Sequence, residues 1–149
     1  MFDMEKVDRV TEMFIFDIYI AGLKIREVVA DFDNAQALLH DFRSWDSVIR
    51  EFEIIGEASK YLLKANLLDK EYQQVVGFRN KISHEYFGID ADEIWDISFD
   101  DLEEYVQVTL KLISSIDPLL KSELIEAFQE DNKYLDFVVV ALKELQNGI

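Results

Sequence analysis

Cysteine is absent from this 149-residue chain, which excludes a disulfide framework, a thiolate metal site and a cysteine nucleophile. Proline occurs once, at Pro118, and glycine only five times, so little interrupts a helix. Long apolar runs are missing too: stretches such as 137–142 are far shorter than a membrane span. The first residues are not the basic head of a signal peptide. Basic residues are scarce, 15 against 31 acidic ones, for a net charge of −16. That balance is unpromising for a chain that handles a polyanion. Histidine appears only as His40 and His84. These absences describe a soluble chain, suited to a reducing cytoplasm and long enough to bury the core of one domain.

The acid is unevenly spread. Residues 1–42 hold four basic and nine acidic side chains, and residues 87–149 hold four and fifteen, whereas residues 43–86 are balanced at seven each. Apolar spacing is helical nearly throughout, and no convincing alternation of strand type appears. The spacing predicts helices over 4–32, 35–42, 45–65, 69–87, 90–116 and from 117 onward, with a break near 131–132. Ser44 is a candidate N-cap, Asp90 with Glu93 resembles a capping box, and Asp117 before Pro118 opens the C-terminal part. Gly88 is expected to stop its helix in a left-handed conformation. Residues 138–140 are locally strand-like but are assigned to helix. The expected class is all-α, an antiparallel bundle of four to six helices.

The first helix carries two apolar stripes. Val7, Val10, Phe14, Ile18, Ala21, Ile25 and Val28 form one, and Met13, Phe16, Ile20 and Leu23 form another. One core contact needs less than that, so the second stripe is expected to meet another subunit. Gly22, Gly56 and Gly77 each fall inside a predicted helix, where glycine costs roughly 1 kcal/mol against alanine. Close approach of two helix backbones is the expected compensation.

The most informative stretch is Arg-Asn-Lys-Ile-Ser-His-Glu-Tyr at 79–86. Arg79 supplies a planar donor fork matched to phosphate, and His84 an imidazole able to move protons near neutral pH. Such a pair suits phosphodiester chemistry, in which one group shuttles a proton and the other stabilises developing charge. Five helical steps separate the two by roughly 140° around the axis. Asn80 shares a face with His84, and Tyr86 lies close in angle to Arg79. Either the arginine stem wraps around the helix, or two copies meet across a two-fold axis. On pattern alone, an ion-paired arginine and a surface histidine explain the same residues. His40 has no motif around it and is read as a surface residue. Seven acids within 92–104 are read as a solvated face. They lack histidine support and EF-hand spacing, so no metal site is assigned, and no cofactor.

Three segments together resemble the HEPN superfamily, specifically its HepT-like branch. They are 48–60 (Val-Ile-Arg-Glu-Phe-Glu-Ile-Ile-Gly-Glu-Ala-Ser-Lys), 77–90, which contains the motif, and Ile94-Trp95. Arg79, Asn80, His84 and Tyr86 fill all four positions of the family's pattern. The likeness covers roughly residues 5–116. It implies a HEPN domain over 1–116 with a C-terminal helical extension over 117–149 packed on it, the latter without an assigned counterpart. It further implies a metal-independent endoribonuclease toxin of a toxin–antitoxin pair, acting as a two-fold homodimer. In that reading Arg79, Asn80 and His84 are catalytic, and the products are a 2′,3′-cyclic phosphate and a 5′-hydroxyl. A partner minimal nucleotidyltransferase would inactivate the toxin by transferring AMP to Tyr86. The alternative is a non-catalytic helical module that binds a nucleotide or presents a partner to the nucleotidyltransferase, which suits the acidity better.

Overall fold

The computed structural model describes residues 9–85 and 88–148. Among them every regular element is helical: α1 (Thr11–Val29), α2 (Ala35–His40), α3 (Phe42–Lys64), a single 3₁₀ turn over Lys70–Tyr72, α4 (Gln73–His84), α5 (Ala91–Phe99), α6 (Asp101–Ser114), α7 (Pro118–Asp131) and α8 (Asp136–Gly148). The fold is an all-α bundle.

Helix α1 is buried around most of its circumference, from Ile15 and Phe16 to Ile25 and Val29, which makes it the central rod. Its most extensive neighbour is α3. Phe14, early in α1, stacks on Tyr61, late in α3, with ring centroids 4.5 Å apart. Lys24, late in α1, acts on Glu51, early in α3. The two helices are therefore antiparallel. Helix α6 lies along another side of α1, where Val106 and Leu102 pack over Gly22. Helix α4 packs on α3.

The second stripe of α1 is not free for another subunit. Phe16 and Ile20 are buried within this chain, and the Phe16 ring stacks on Phe128 of α7 at 5.1 Å. The expectation of a subunit contact there is corrected, because the chain supplies its own cover from a segment more than a hundred residues away in sequence.

Local chemistry explains most of the helix ends. Asn34 caps α2 by accepting from the Ala37 N–H at 2.8 Å, and Asp117 caps α7 by accepting from the Leu120 N–H at 3.2 Å, with Pro118 in the first turn. Asp90 caps α5 by accepting from the Asp92 and Glu93 N–H groups at 2.9 and 3.4 Å. Three local expectations are corrected. Asp41, not Ser44, caps α3: its Oδ1 accepts from the Ser44 N–H at 3.1 Å, so the helix begins earlier. No described glycine has a positive φ; the left-handed residue is Asn66, at φ 59°. There the Leu67 and Asn66 N–H groups close back on the Leu62 and Leu63 carbonyls at 3.0 and 3.1 Å and end α3. Helix α4 stops at His84, and Glu85, with φ −115°, follows it before Gly88 is reached.

The predicted helix over 90–116 is two helices that meet at Asp100, where φ is −100° and ψ is −73°. The rhythm of buried positions Ile94, Ser98, Leu102, Tyr105 runs through the bend unbroken, so nothing local announces it. The two halves follow different partners: α5 packs on α2 and α1, and α6 on α1. Residues 138–140 are helical, within α8. No described helix is long and apolar enough to cross a membrane.

Candidate active site

Helix α4 positions Arg79, Asn80 and His84. Its inner face rests on α3 through Phe78, whose ring meets Phe52 edge-on at 5.6 Å, and through buried Ile82. Arg79 also points toward α3. A Cβ added at Gly56 would collide with Arg79 Cβ and lie 2.5 Å from its Cγ. Only glycine at 56 leaves room for the arginine stem, so the close approach expected for Gly56 has a definite partner. Gly22 has one as well, with Val106 Cγ2 at 2.7 Å from an added Cβ, whereas no described residue lies within 4 Å at Gly77.

The guanidinium emerges beside Glu57, with Arg79 Nη2 3.6 Å from Glu57 Oε2, and Nη1 donates to Asn80 Oδ1 at 3.3 Å. Both side chains of the ion pair remain partly open to solvent, 34% and 43%. The contact is long and partly screened, so it holds the guanidinium weakly and leaves it exchangeable for another anion. Arg79 Nε is buried and finds no acceptor among the described residues. The Nη groups, at the partly exposed end of the side chain, are the ones an incoming anion can reach.

His84 is exposed, in the last turn of α4. The structure thus joins Asn80 to the arginine, while the imidazole stands apart on the outer surface. Five residues at about 1.5 Å rise put the two reactive groups roughly 7.5 Å apart along the axis as well as on different sides. Tyr86 lies outside the described residues. His40 is exposed, in the last turn of α2. Among the described residues no group of three or more histidine or acidic side chains has a metal-holding arrangement.

Glu57 is the residue that sequence reasoning missed. Its signal was its place next to a helix-interior glycine, since the residue that lets a neighbour approach also delivers the following side chain to that neighbour. Tyr105 was missed as well. It is buried, its hydroxyl shares a 2.6 Å hydrogen bond with Ser59, and burial, the leading cause, pushes its phenol up to about 12. At helical spacing it reads simply as a core aromatic.

Residues 18–113 match a family model described as Ribonuclease HepT-like. From Methanocaldococcus jannaschii, the protein named "Putative RNase MJ1380" is 32% identical over 97 residues, covering 63% of this chain and 88% of the relative. A second from that organism, "Putative RNase MJ0127", is 32% identical over 112 residues, covering 70% and 88%. "Putative RNase TTE0752" from Caldanaerobacter subterraneus subsp. tengcongensis is 37% identical over 60 residues, covering 38% and 53%. No solved structure matches the chain significantly.

Proposed function

Because this chain belongs to the HepT-like ribonuclease family, we propose that it is a metal-independent endoribonuclease whose reacting groups come from α4. The observation that carries the reading is the Arg79 guanidinium, seated over Gly56 and held by a long, partly exposed contact to Glu57, on the same short helix as an exposed His84. His84 takes the proton of a ribose 2′-hydroxyl. The 2′-oxygen attacks the adjacent phosphorus, and the P–O5′ bond breaks as the protonated imidazole of His84 gives its proton to the leaving oxygen. Arg79 exchanges Glu57 for the scissile phosphate and stabilises its added charge. Asn80 holds the guanidinium in register. The products are a 2′,3′-cyclic phosphate and a 5′-hydroxyl.

One copy of α4 presents Arg79 and His84 on different sides, so a complete centre is assembled from two. We read the active form as a two-fold homodimer in which the motifs of both copies line one cleft. The biological setting in this reading is a toxin–antitoxin pair: a minimal nucleotidyltransferase transfers AMP to Tyr86, and the bulky anion blocks RNA by charge and volume. Residues 1–116 form the HEPN unit and 117–149 an extension. A second reading, a non-catalytic module that binds a nucleotide or presents a partner, is favoured by one observation, the net charge of −16.

Two experiments test the proposal. Purified protein should cleave RNA in EDTA, and His84→Ala should lose roughly a hundredfold or more of that activity while melting within about 2 °C of wild type, since its side chain is exposed. No cleavage by the wild type moves the assignment to the non-catalytic module, and cleavage retained by His84→Ala removes His84 from the reacting groups. Incubation with the cognate nucleotidyltransferase, ATP and magnesium should add AMP to Tyr86 and silence the nuclease. Tyr86→Phe should remain active and escape; mass spectrometry placing the adduct on Tyr61, Tyr72 or Tyr105 would overturn that part.

A further inference from the structure

A cleft of about 500 Å³ opens among α3, the 3₁₀ turn, α4, α5 and α6, and Arg79, Asn80 and His84 are not among its lining residues. Its walls are aromatic. Phe52 and Phe78 meet edge-on at 5.6 Å, and Tyr72 and Tyr105 stack at 5.3 Å. Because the Tyr105 hydroxyl is tied to fully buried Ser59, it is the ring, not the polar tip, that borders the space. The rim is acidic, with Glu71, Glu93, Asp101 and Glu104 facing one cation, Lys81. Lys81 is already engaged, its Nζ donating to Glu93 at 3.0 Å. Burial first, then the charges of Glu71, Glu104 and Asp69, push the Tyr72 phenol up, as expected where negative potential is uncompensated.

Gly77 supplies an independent observation. It lines this cleft, on the exposed side of α4. Gly22 and Gly56 are glycine because neighbouring side chains occupy the space of a Cβ, but no described residue lies within 4 Å of a Cβ at Gly77. Its φ is not positive either. Neither backbone conformation nor packing among the described residues calls for glycine there. What glycine does provide is bare backbone at the cleft wall, open to a close approach from outside.

We propose that this cleft docks a segment of a partner protein in which an aliphatic or aromatic side chain is flanked by lysines or arginines. The apolar side chain sits between the two ring pairs, the segment's backbone passes against Gly77, and the flanking cations meet Glu71, Asp101 and Glu104. Charge selects this occupant. The same four acids repel a nucleic-acid strand, and they are spread over the 3₁₀ turn, α5 and α6, more widely than a small cation needs. The inference is independent of RNA cleavage, since the cleft requires no chemistry to be filled.

The test is fluorescence anisotropy with a fluorescein-labelled peptide, Lys-Lys-Trp-Leu-Lys-Lys, titrated with the full chain at low and high salt. Saturable binding is expected, weakening with salt, with a lysine-only hexapeptide and spermine each roughly tenfold weaker or worse. Gly77→Leu, which places a side chain in the cleft, should reduce peptide affinity roughly tenfold or more with helix content retained. The double variant Glu71→Gln, Glu104→Gln keeps the shape and should weaken binding and flatten its salt dependence; if Gly77→Leu does not fold, this variant decides. Equal binding of the lysine-only peptide, or affinity unchanged in either variant, overturns the proposal. So does a labelled RNA hexamer that binds in place of the peptide and is lost in Gly77→Leu. Light scattering in which Gly77→Leu dissolves a dimer without touching peptide affinity would assign the cleft to a second copy of the chain instead.

Discussion

Glu51 is a carboxylate in the wrong medium. It is 7% exposed on the core side of α3, and burial raises its pKa, with Lys24 and Arg50 offsetting part of the effect. The folded chain therefore holds this proton to higher pH than the unfolded chain does. Stability contributed by the protonated form is present below the unfolded value, about 4.3, and is lost as pH rises through the raised folded value. Glu51→Gln keeps the volume and removes the charge. It should melt a few degrees above wild type near neutral pH, and the gap should close on acidification. Thermal melts across that range check this; a variant melting lower at neutral pH would show that Glu51 is paired well enough to stabilise the fold. Arg79 is the opposite case, a charge kept at a boundary where its stem is packed and its fork remains available.

The seam between α3 and α4 is the element on which the candidate site depends. Gly56 faces α4 across this seam and Gly77 lies on the exposed side of α4, so the same substitution should have opposite signs at each. Gly56→Ala forces a methyl group into Arg79, so α4 must shift; a loss of about 1–3 kcal/mol is expected, together with RNA cleavage, because the guanidinium moves with its helix. Gly77→Ala adds a methyl to open space within a helix and should stabilise by roughly 0.5–1 kcal/mol. Chemical denaturation of both variants measures the pair. If Gly56→Ala proves neutral, Arg79 does not need its seat on α3. The bend at Asp100 shows the same logic: α5 and α6 share one rhythm of buried positions, and it is their separate partners that divide them.

At the scale of the whole molecule, α1 is enclosed by α3, α5, α6 and α8, with Phe128 of α7 on its remaining stripe. A dimer therefore has to be built elsewhere than on α1. In the proposed dimer the outer face of α4, where Asn80 and His84 are exposed, meets its copy. Light scattering at micromolar concentration should give twice the monomer mass, and a crosslink introduced on that face should trap the pair. A monomer that still cleaves RNA would mean that one Arg79 and one His84 suffice, with the arginine stem reaching around its own helix. The net charge of −16 adds a second expectation of sign, that association of like-charged copies strengthens with salt.

What the sequence alone determined was local. Helical class followed from apolar spacing, the starts of α5 and α7 from Asp90 and Asp117, and the grouping of Arg79, Asn80 and His84 on one helix from their separation along the chain. Caps and periodicity act across three or four residues, so a one-dimensional record contains them. Even there a competitor one turn away can win, as Asp41 did over Ser44. Tertiary structure decided the rest: that Phe128 covers α1, that Gly56 receives Arg79 while Gly77 receives no described residue, that Glu57 rather than a distant acid meets the guanidinium, and that aromatic rings from α3 to α6 wall a cleft. Each of these depends on which helices become neighbours. That choice is made by the burial of all apolar faces at once, a sum over the whole chain that no local segment carries.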